Sequence, residues 1–316
     1  MKSMTSRWVC VTLGNPCVRG FGTALAQRGF EIMSVRDANL TEKLKGRRVY
    51  LHADIIETDK NITEDAVVEW YKSVYNLCNV VEPLCRTGGM YFGMKWYAVD
   101  FVGLMMPGTV VLSSQSFTEF TEDTFLRTTA LSSCGRVHLK PSLRHTGNGH
   151  RRTGKFASVG KFCREVWSWS TNAVIVCQPH ISPFRELKFI CIGRNFQPFF
   201  DEEGDVFRNH SGQIRAIFRR VLIGLQQKLS QIPPLWRMDL VIHNGTVYLN
   251  EIECTGAYYR MVAGNKIVDF NNLAAQSVAD YLSLKYPHVG SESPTESDDR
   301  IFKTTSIRDN DDGTLT

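Results

Sequence analysis

No CxxC pair occurs in this 316-residue sequence, no cysteine and histidine share a zinc-type spacing, and no apolar run is long enough to cross a bilayer. The nine cysteines are scattered between Cys10 and Cys254, mostly inside apolar runs such as VIVCQ and KFICIG. A disulfide-stapled miniprotein is therefore excluded, and the thiols read as small core residues of a reducing compartment. The longest apolar stretch, Trp96–Met106, is broken by Asp100, and the opening MKSMTSRWVCV holds no signal-peptide core, so a soluble, cytoplasmic protein without membrane contact is expected. Glycines cluster in GNPCVRGFG and in HTGNGHRRTGK, yet neither stretch has the GxGxxG spacing or the GK(S/T) ending. That removes the dinucleotide fingerprint and the P-loop. No internal repeat is present.

With 43% hydrophobic and 11% aromatic residues, most of the chain can bury a core, and its length predicts two or three packed units. The net charge of +5 is too low for a general nucleic-acid coat. It is also uneven: residues 291–316 carry seven acidic against three basic side chains, a net of −4, which leaves about +9 on the rest. An anionic ligand belongs on that remainder.

The first 35 residues predict a strand (Arg7–Leu13), a glycine-bearing connection, a helix (Thr23–Arg28) and a strand (Phe30–Val35), the pattern of a Rossmann-like half-sheet. Arg48–Ile55 is a further strand, and Thr63 caps a helix running to about Asn76. A strand at Thr109–Leu112 precedes a polar hinge, Ser113–Ser133, with a short helix. Beyond Arg136 the pattern turns to antiparallel pairs: Arg136–Leu139, Ala173–Gln178, Leu187–Gly193, Asn195–Phe200, Met238–His243 and Thr246–Ile252. Asn244-Gly245 is a type I′ hairpin signal. The helical period is clearest over Ser211–Ser230, followed by Pro233-Pro234, and a last amphipathic helix spans Asn272–Tyr286.

Two segments carry chemistry. In the hairpin RMDLVIHNGTVYLNEIE, Arg237–Glu253, strand alternation puts Glu251 and Glu253 on one face, where Asp239 can meet them from the partner strand. Three converging carboxylates repel one another, and each is costly to desolvate alone. Magnesium resolves that conflict, because a hard divalent cation takes a few carboxylate oxygens and leaves positions for phosphate. A solvated hairpin face paired to Arg237 accounts for the same spacing equally well. In the second segment, Val137–Lys155, a strand ends at Lys140-Pro141, and Gly147, Gly149 and Gly154 follow among Arg144, His145, His150, Arg151 and Arg152. No acidic residue occurs from Arg136 to Lys155. Such a loop can bring backbone N–H groups to phosphate oxygens beside a fixed ammonium. A basic surface loop or polyanion patch is the competing reading.

In order along the chain, these segments resemble the ATP-grasp superfamily over roughly residues 110–286. Lys140-Pro141-Ser142 and Thr146–Gly149 look like its strand-borne lysine and glycine loop, Val174–Gln178 like its hinge strand, and Arg185-Glu186-Leu187-Lys188 like the segment that carries a ribose-binding Glu. Arg237-Met238-Asp239 and Glu251-Ile252-Glu253 are similar to its RxD and ExN strands, which hold two magnesium ions. The resemblance implies an α+β ATP-grasp fold, two α+β subdomains around the nucleotide, preceded by a Rossmann-like α/β N-terminal domain. The corresponding boundaries are 1–112, 113–287 and a disordered acidic tail over 288–316. Two positions depart from the family: Cys177 or Gln178 stands where the hinge usually has Glu, and Glu253 stands where the last metal ligand is usually Asn.

The function implied is an ATP- and magnesium-dependent ligase that forms an amide-type bond through an acyl phosphate. Lys140, with Lys188 or Lys155, then neutralises phosphate, Arg237 faces the transferring phosphoryl group, and Asp239, Glu251 and Glu253 hold Mg2+. Ser142, Gly147 and Gly149 approach the phosphates, the main chain of Gln178 and His180 reads adenine, and Glu186 contacts ribose. Arg215, Arg219 and Arg260 are candidate contacts for an acceptor carboxylate. The partners are a small-molecule or peptide carboxylate and a nucleophile; a protein partner for the acidic tail is possible and nucleic acid is not expected. An ATP-binding assembly factor, or a small-molecule kinase of the same fold, is the alternative.

Overall fold

The computed structural model describes residues 7–12, 16–52, 62–82, 86–87, 90–91, 97–142, 149–182, 185–198, 201–229, 232–253 and 266–286. Gly147, Arg260 and the acidic tail, on which expectations were placed, lie outside them.

Four parallel strands come first: β1 (Trp8–Thr12), β2 (Glu31–Ser34), β3 (Arg48–Leu51) and β4 (Val80–Glu82), in the order β2-β1-β3-β4. Parallel neighbours need crossovers, supplied by α1 (Pro16–Gln27) between β1 and β2 and by α2 (Leu40–Leu44) and α3 (Glu64–Leu77) around β3. Proline at the first position of α1 suits a helix start, where its missing N–H has no helical partner. Thr63 caps α3, its Oγ1 accepting from the Ala66 N–H at 3.2 Å.

A two-stranded ribbon, β5 (Arg86–Thr87) with β6 (Met90–Tyr91), and the short helix α4 (Tyr97–Phe101) lead to β7 (Val110–Leu112) and α5 (Glu122–Ala130). Next come β8 (Val137–Pro141), β9 (Arg151–Thr153), α6 (Phe156–Trp169) and β10 (Ile175–Pro179). They form a second, antiparallel sheet in the order β7-β10-β8-β9. Strand β7, assigned from sequence to the end of the leading unit, thus hydrogen-bonds within this sheet. Helix α6 is absent from the sequence reading. Its buried residues Val159, Phe162, Cys163 and Val166 have helical spacing, but Gly160 weakens the helical signal and Lys155 makes no side-chain cap.

The third sheet is antiparallel, β12-β11-β13-β14, built from β11 (Glu186–Ile192), β12 (Asn195–Pro198), β13 (Leu235–His243) and β14 (Thr246–Glu253). Helix α7 (Asp201–Leu229) loses helical geometry at His210, one residue before the helix predicted from Ser211. Its apolar stripe, Ile214, Ile217, Phe218, Val221 and Leu225, covers one face of this sheet. The turn between β13 and β14 has Asn244 at φ 50° and Gly245 at φ 75°, as a type I′ hairpin requires.

The last helix, α8 (Lys266–Lys285), returns to the first sheet, where Ala274, Ala275, Val278 and Leu282 share a core with Val9, Phe21 and Leu25. The approach to α1 is close enough that a Cβ on Gly20 would collide with the Asn271 amide. Cys10, Cys163, Cys177 and Cys191 are buried and free, as expected of core thiols. Among the described residues, no helix is long and apolar enough to cross a membrane.

Candidate functional site

Strand alternation divides the third sheet into two unlike faces. Leu187, Phe189 and Cys191 on β11, with Trp236, Met238 and Leu240 on β13, enter the core under α7. The intervening residues, Glu186, Lys188, Arg237 and Asp239, occupy the opposite face. Lys188, Asp239 and Glu251 are direct cross-strand partners, so they form one row over three strands, and Arg237 pairs in register with Glu253 in the next row. The Glu253 side chain lies outside the described residues.

A bulge in β14 alters the expected alternation. Asp239 pairs with Glu251 but Leu240 pairs with Leu249, which leaves Asn250 as an extra residue. The core side of β14 accordingly steps from Val247 and Leu249 to Ile252. Both Asn250 and Glu251 are therefore turned away from the core.

Ligand oxygens of Glu186, Asp239 and Glu251 all lie within 4.8 Å of one another. Asp239 is 0% exposed and receives Arg237 through both oxygens, Nε–Oδ1 at 2.7 Å and a terminal guanidinium nitrogen to Oδ2 at 2.9 Å. Lys188 Nζ bridges Asp239 Oδ2 at 3.1 Å and Glu186 Oε2 at 2.8 Å. Burial pushes the Asp239 carboxyl up to about 7; Arg237 and Lys188 pull it down while Glu186 and Glu251 push it further up. Burial works against the Lys188 ammonium, but Asp239 and Glu186 outweigh it and raise its pKa.

Lys140 reaches this face from the second sheet. Its side of β8 is opposite the core formed by Val137 and Leu139 with α5 and α6, and its Nζ donates to Asn250 Oδ1 at 2.9 Å. The Asn250 amide in turn donates to Glu186 Oε1 at 2.6 Å. One chain of contacts thus runs from Lys140 through Asn250, Glu186, Lys188 and Asp239 to Arg237, joining β8, β14, β11 and β13.

Of the two hinge candidates, Cys177 is turned into the α5/α6 core, where burial raises its thiol to about 12. Gln178, buried in register with His138, is on the other side of β10. The His180 ring lies 5.9 Å from that of His138, and His138 Nε2 is 3.2 Å from His150 Nδ1. Burial, followed by the charges of Lys140, His150, Arg152 and His180, lowers His138 to about 2. Ser142 is buried, with its N–H donating to the Val174 carbonyl at 2.8 Å. Gly149 has φ 69°, and Lys155 is exposed where α6 begins. Arg215 stacks over Phe207 and Arg219 is exposed on α7.

No protein-family model and no curated protein matches the sequence. Solved structures do match. D-cycloserine synthetase DcsG aligns with a TM-score of 0.63 at 14% identity, over 87% of this chain and 99% of that one. D-alanine–D-alanine ligase from Bacillus anthracis aligns at 0.54 and 12% identity, over 88% and 97% of the two chains. A RimK domain ATP-grasp protein from Sphaerobacter thermophilus aligns at 0.51 and 12% identity, over 87% and 98%. This chain has the ATP-grasp fold.

Within this fold, the structure brings together Lys140, Glu186, Lys188, Arg237, Asp239 and Glu251, drawn from two sheets. Glu186, expected at the ribose, stands among the carboxylates. Sequence reasoning missed Asn250 and His138. The signal for Asn250 was present in TVYLNEIE, where a poor strand former sits between Leu249 and Glu251.

Proposed function

We propose that the protein is an ATP- and magnesium-dependent ligase that joins a carboxylate to an amine or thiol through an acyl phosphate. The observation that carries this reading is the meeting of Glu186, Asp239 and Glu251 within 4.8 Å on a face that also receives Lys140. A synthetase and a ligase among the solved structures of the same fold agree with it.

The donor set suits magnesium. Carboxylates are the hard oxygen ligands that Mg2+ prefers, and the buried Asp239, pushed up to about 7, ionises more readily beside an added divalent charge. Asp239 and Glu251 hold the ions, two by analogy with the fold, with Glu253 as a third donor. Glu186, read as the ribose contact, stands close enough to share them. When bound, magnesium neutralises phosphate oxygens.

The remaining steps belong to the chain's own residues. Lys140 and Lys188 neutralise phosphate oxygens, and Arg237 balances charge on the group in transfer. A substrate carboxylate oxygen bonds to the γ-phosphorus as the bond to ADP breaks. An amine or thiol then attacks the acyl carbon, phosphate leaves and the nucleophile releases its proton. Gln178 and His180 hold the base, while Ser142, Gly147, Gly149 and Lys155 belong to the segment that covers the phosphates and excludes water. The parallel sheet serves as a Rossmann-like leading domain ahead of an ATP-grasp unit that begins with β7, the partner of β10, while α8 returns to pack on the leading sheet. A cytoplasmic location and a small-molecule or peptide carboxylate belong to the same proposal.

ADP release from MgATP, measured with a panel of amino acids and short peptides, tests the reading. Acceptor-dependent ADP formation is the expected result. MgATP binding without it would identify an ATP-binding assembly factor, and a phosphorylated polyol product would identify a kinase.

A further inference from the structure

We propose that Asn250 is a positioning residue that sets Lys140 and Glu186 relative to each other and so prepares Lys140 for the nucleotide phosphates; this rests on the nucleotide reading above. Asn250 is the extra residue of the β14 bulge, and it is 7% exposed. A strand without the bulge would carry residue 250 on the face opposite its neighbour Glu251. The bulge puts both on the polar face at once.

The amide bridges two groups of opposite character. Lys140 Nζ has only hydrogens to give and the Glu186 carboxylate only lone pairs, so the Asn250 oxygen faces the first at 2.9 Å and its NH2 faces the second at 2.6 Å. No other side-chain type of this length offers both. Aspartate would accept from Lys140 but oppose Glu186, adding a negative charge beside three carboxylates that already lie within 4.8 Å of one another. Leucine would occupy a similar volume while removing one hydrogen-bond partner from each of the two charges, with Glu186 keeping Lys188. Because Lys140 is on β8 and Glu186 on β11, the amide also ties the second sheet to the third.

A residue acting through Lys140 must lose its influence when the ammonium is gone, whereas a merely structural residue keeps it. The experiment is MgATP affinity by titration calorimetry on the full chain for Lys140→Met and for Asn250→Leu, Asn250→Asp and Asn250→Gln, each in the parent and in the Lys140→Met background. Asn250→Leu is expected to weaken MgATP binding about tenfold in the parent background and less than twofold in the Lys140→Met background. Asn250→Asp is expected to weaken it more than Asn250→Leu, and Asn250→Gln to recover part of the loss. Equal effects of Asn250→Leu in both backgrounds, with the parent binding MgATP, would overturn the role of Asn250 alone. A parent that binds no MgATP would overturn the nucleotide reading, and this inference with it. If Asn250→Leu does not fold, Asn250→Asp and Asn250→Gln in the two backgrounds give the same decision.

Discussion

Among the described residues, two carboxylates, Glu82 and Asp239, are completely buried, and they are held in different ways. Glu82, at the end of β4, accepts from Tyr281 at 3.1 Å and Tyr286 at 2.6 Å and pairs with Lys285, all from the end of α8 or just past it. Asp239 is gripped by Arg237 and Lys188, yet two further carboxylates crowd within 4.8 Å. At Glu82 the surrounding groups are complementary to one negative charge, so its pairing docks α8 on the first sheet. At Asp239 like charges have been brought together, which costs free energy that a divalent cation can relieve. The contrast separates a buried charge that holds the fold from one that, in the proposed function, receives a metal ion.

Asp239→Asn should break the second half of this contrast, lowering MgATP affinity about 100-fold, equivalent to about 2.7 kcal/mol. Titration calorimetry measures it, and near-parent affinity would remove Asp239 from the metal site. Glu82→Ala should break the first half. It removes the acceptor shared by Lys285, Tyr281 and Tyr286 and is expected to cost about 3 kcal/mol of stability by urea unfolding, with MgATP affinity unchanged. A loss of nucleotide affinity in the folded Glu82 variant would erase the distinction.

Acid should sharpen the comparison with a smaller effect. Each region holds a histidine kept neutral, buried His52 in the first and half-buried His138 in the second: burial lowers His52 to about 3, and burial with nearby positive charge lowers His138 to about 2. Because both folded values lie below the ordinary 6.5, unfolding takes up a proton at each site as the pH falls. Their stabilising contribution is therefore present above pH 6.5 and lost below it, by about 1 kcal/mol per imidazole between pH 6.5 and 5.5. Urea midpoints across this range should fall, and His52→Gln and His138→Gln should each flatten the slope. A slope unchanged in His52→Gln would show that His52 titrates alike in the folded and unfolded chain, against its burial as a neutral ring.

Much of the local structure was legible. The Asn244-Gly245 turn, the Thr63 cap, the apolar stripe of α7 and the strand-borne Lys140 all depend on neighbours within a few positions. The elements misread or missed depend on distant ones. Strand β7 joins the second sheet because β10 offers it an edge, and α8 leaves the preceding hairpin to pack on α1. The β14 bulge follows from registering β13 against β14 while both keep an apolar face under α7.

The order of the chemistry-bearing segments, their residue types and the resemblance they carry were set by the sequence alone, because motifs and periodicities are local. Only tertiary structure decided that Asn250 would face the site, that Glu186 would stand with Asp239 and Glu251, and that Lys140 would meet them from another sheet. The physical reason is register. A shift of one residue exchanges the two faces of a strand, and no segment specifies its partner's register by itself.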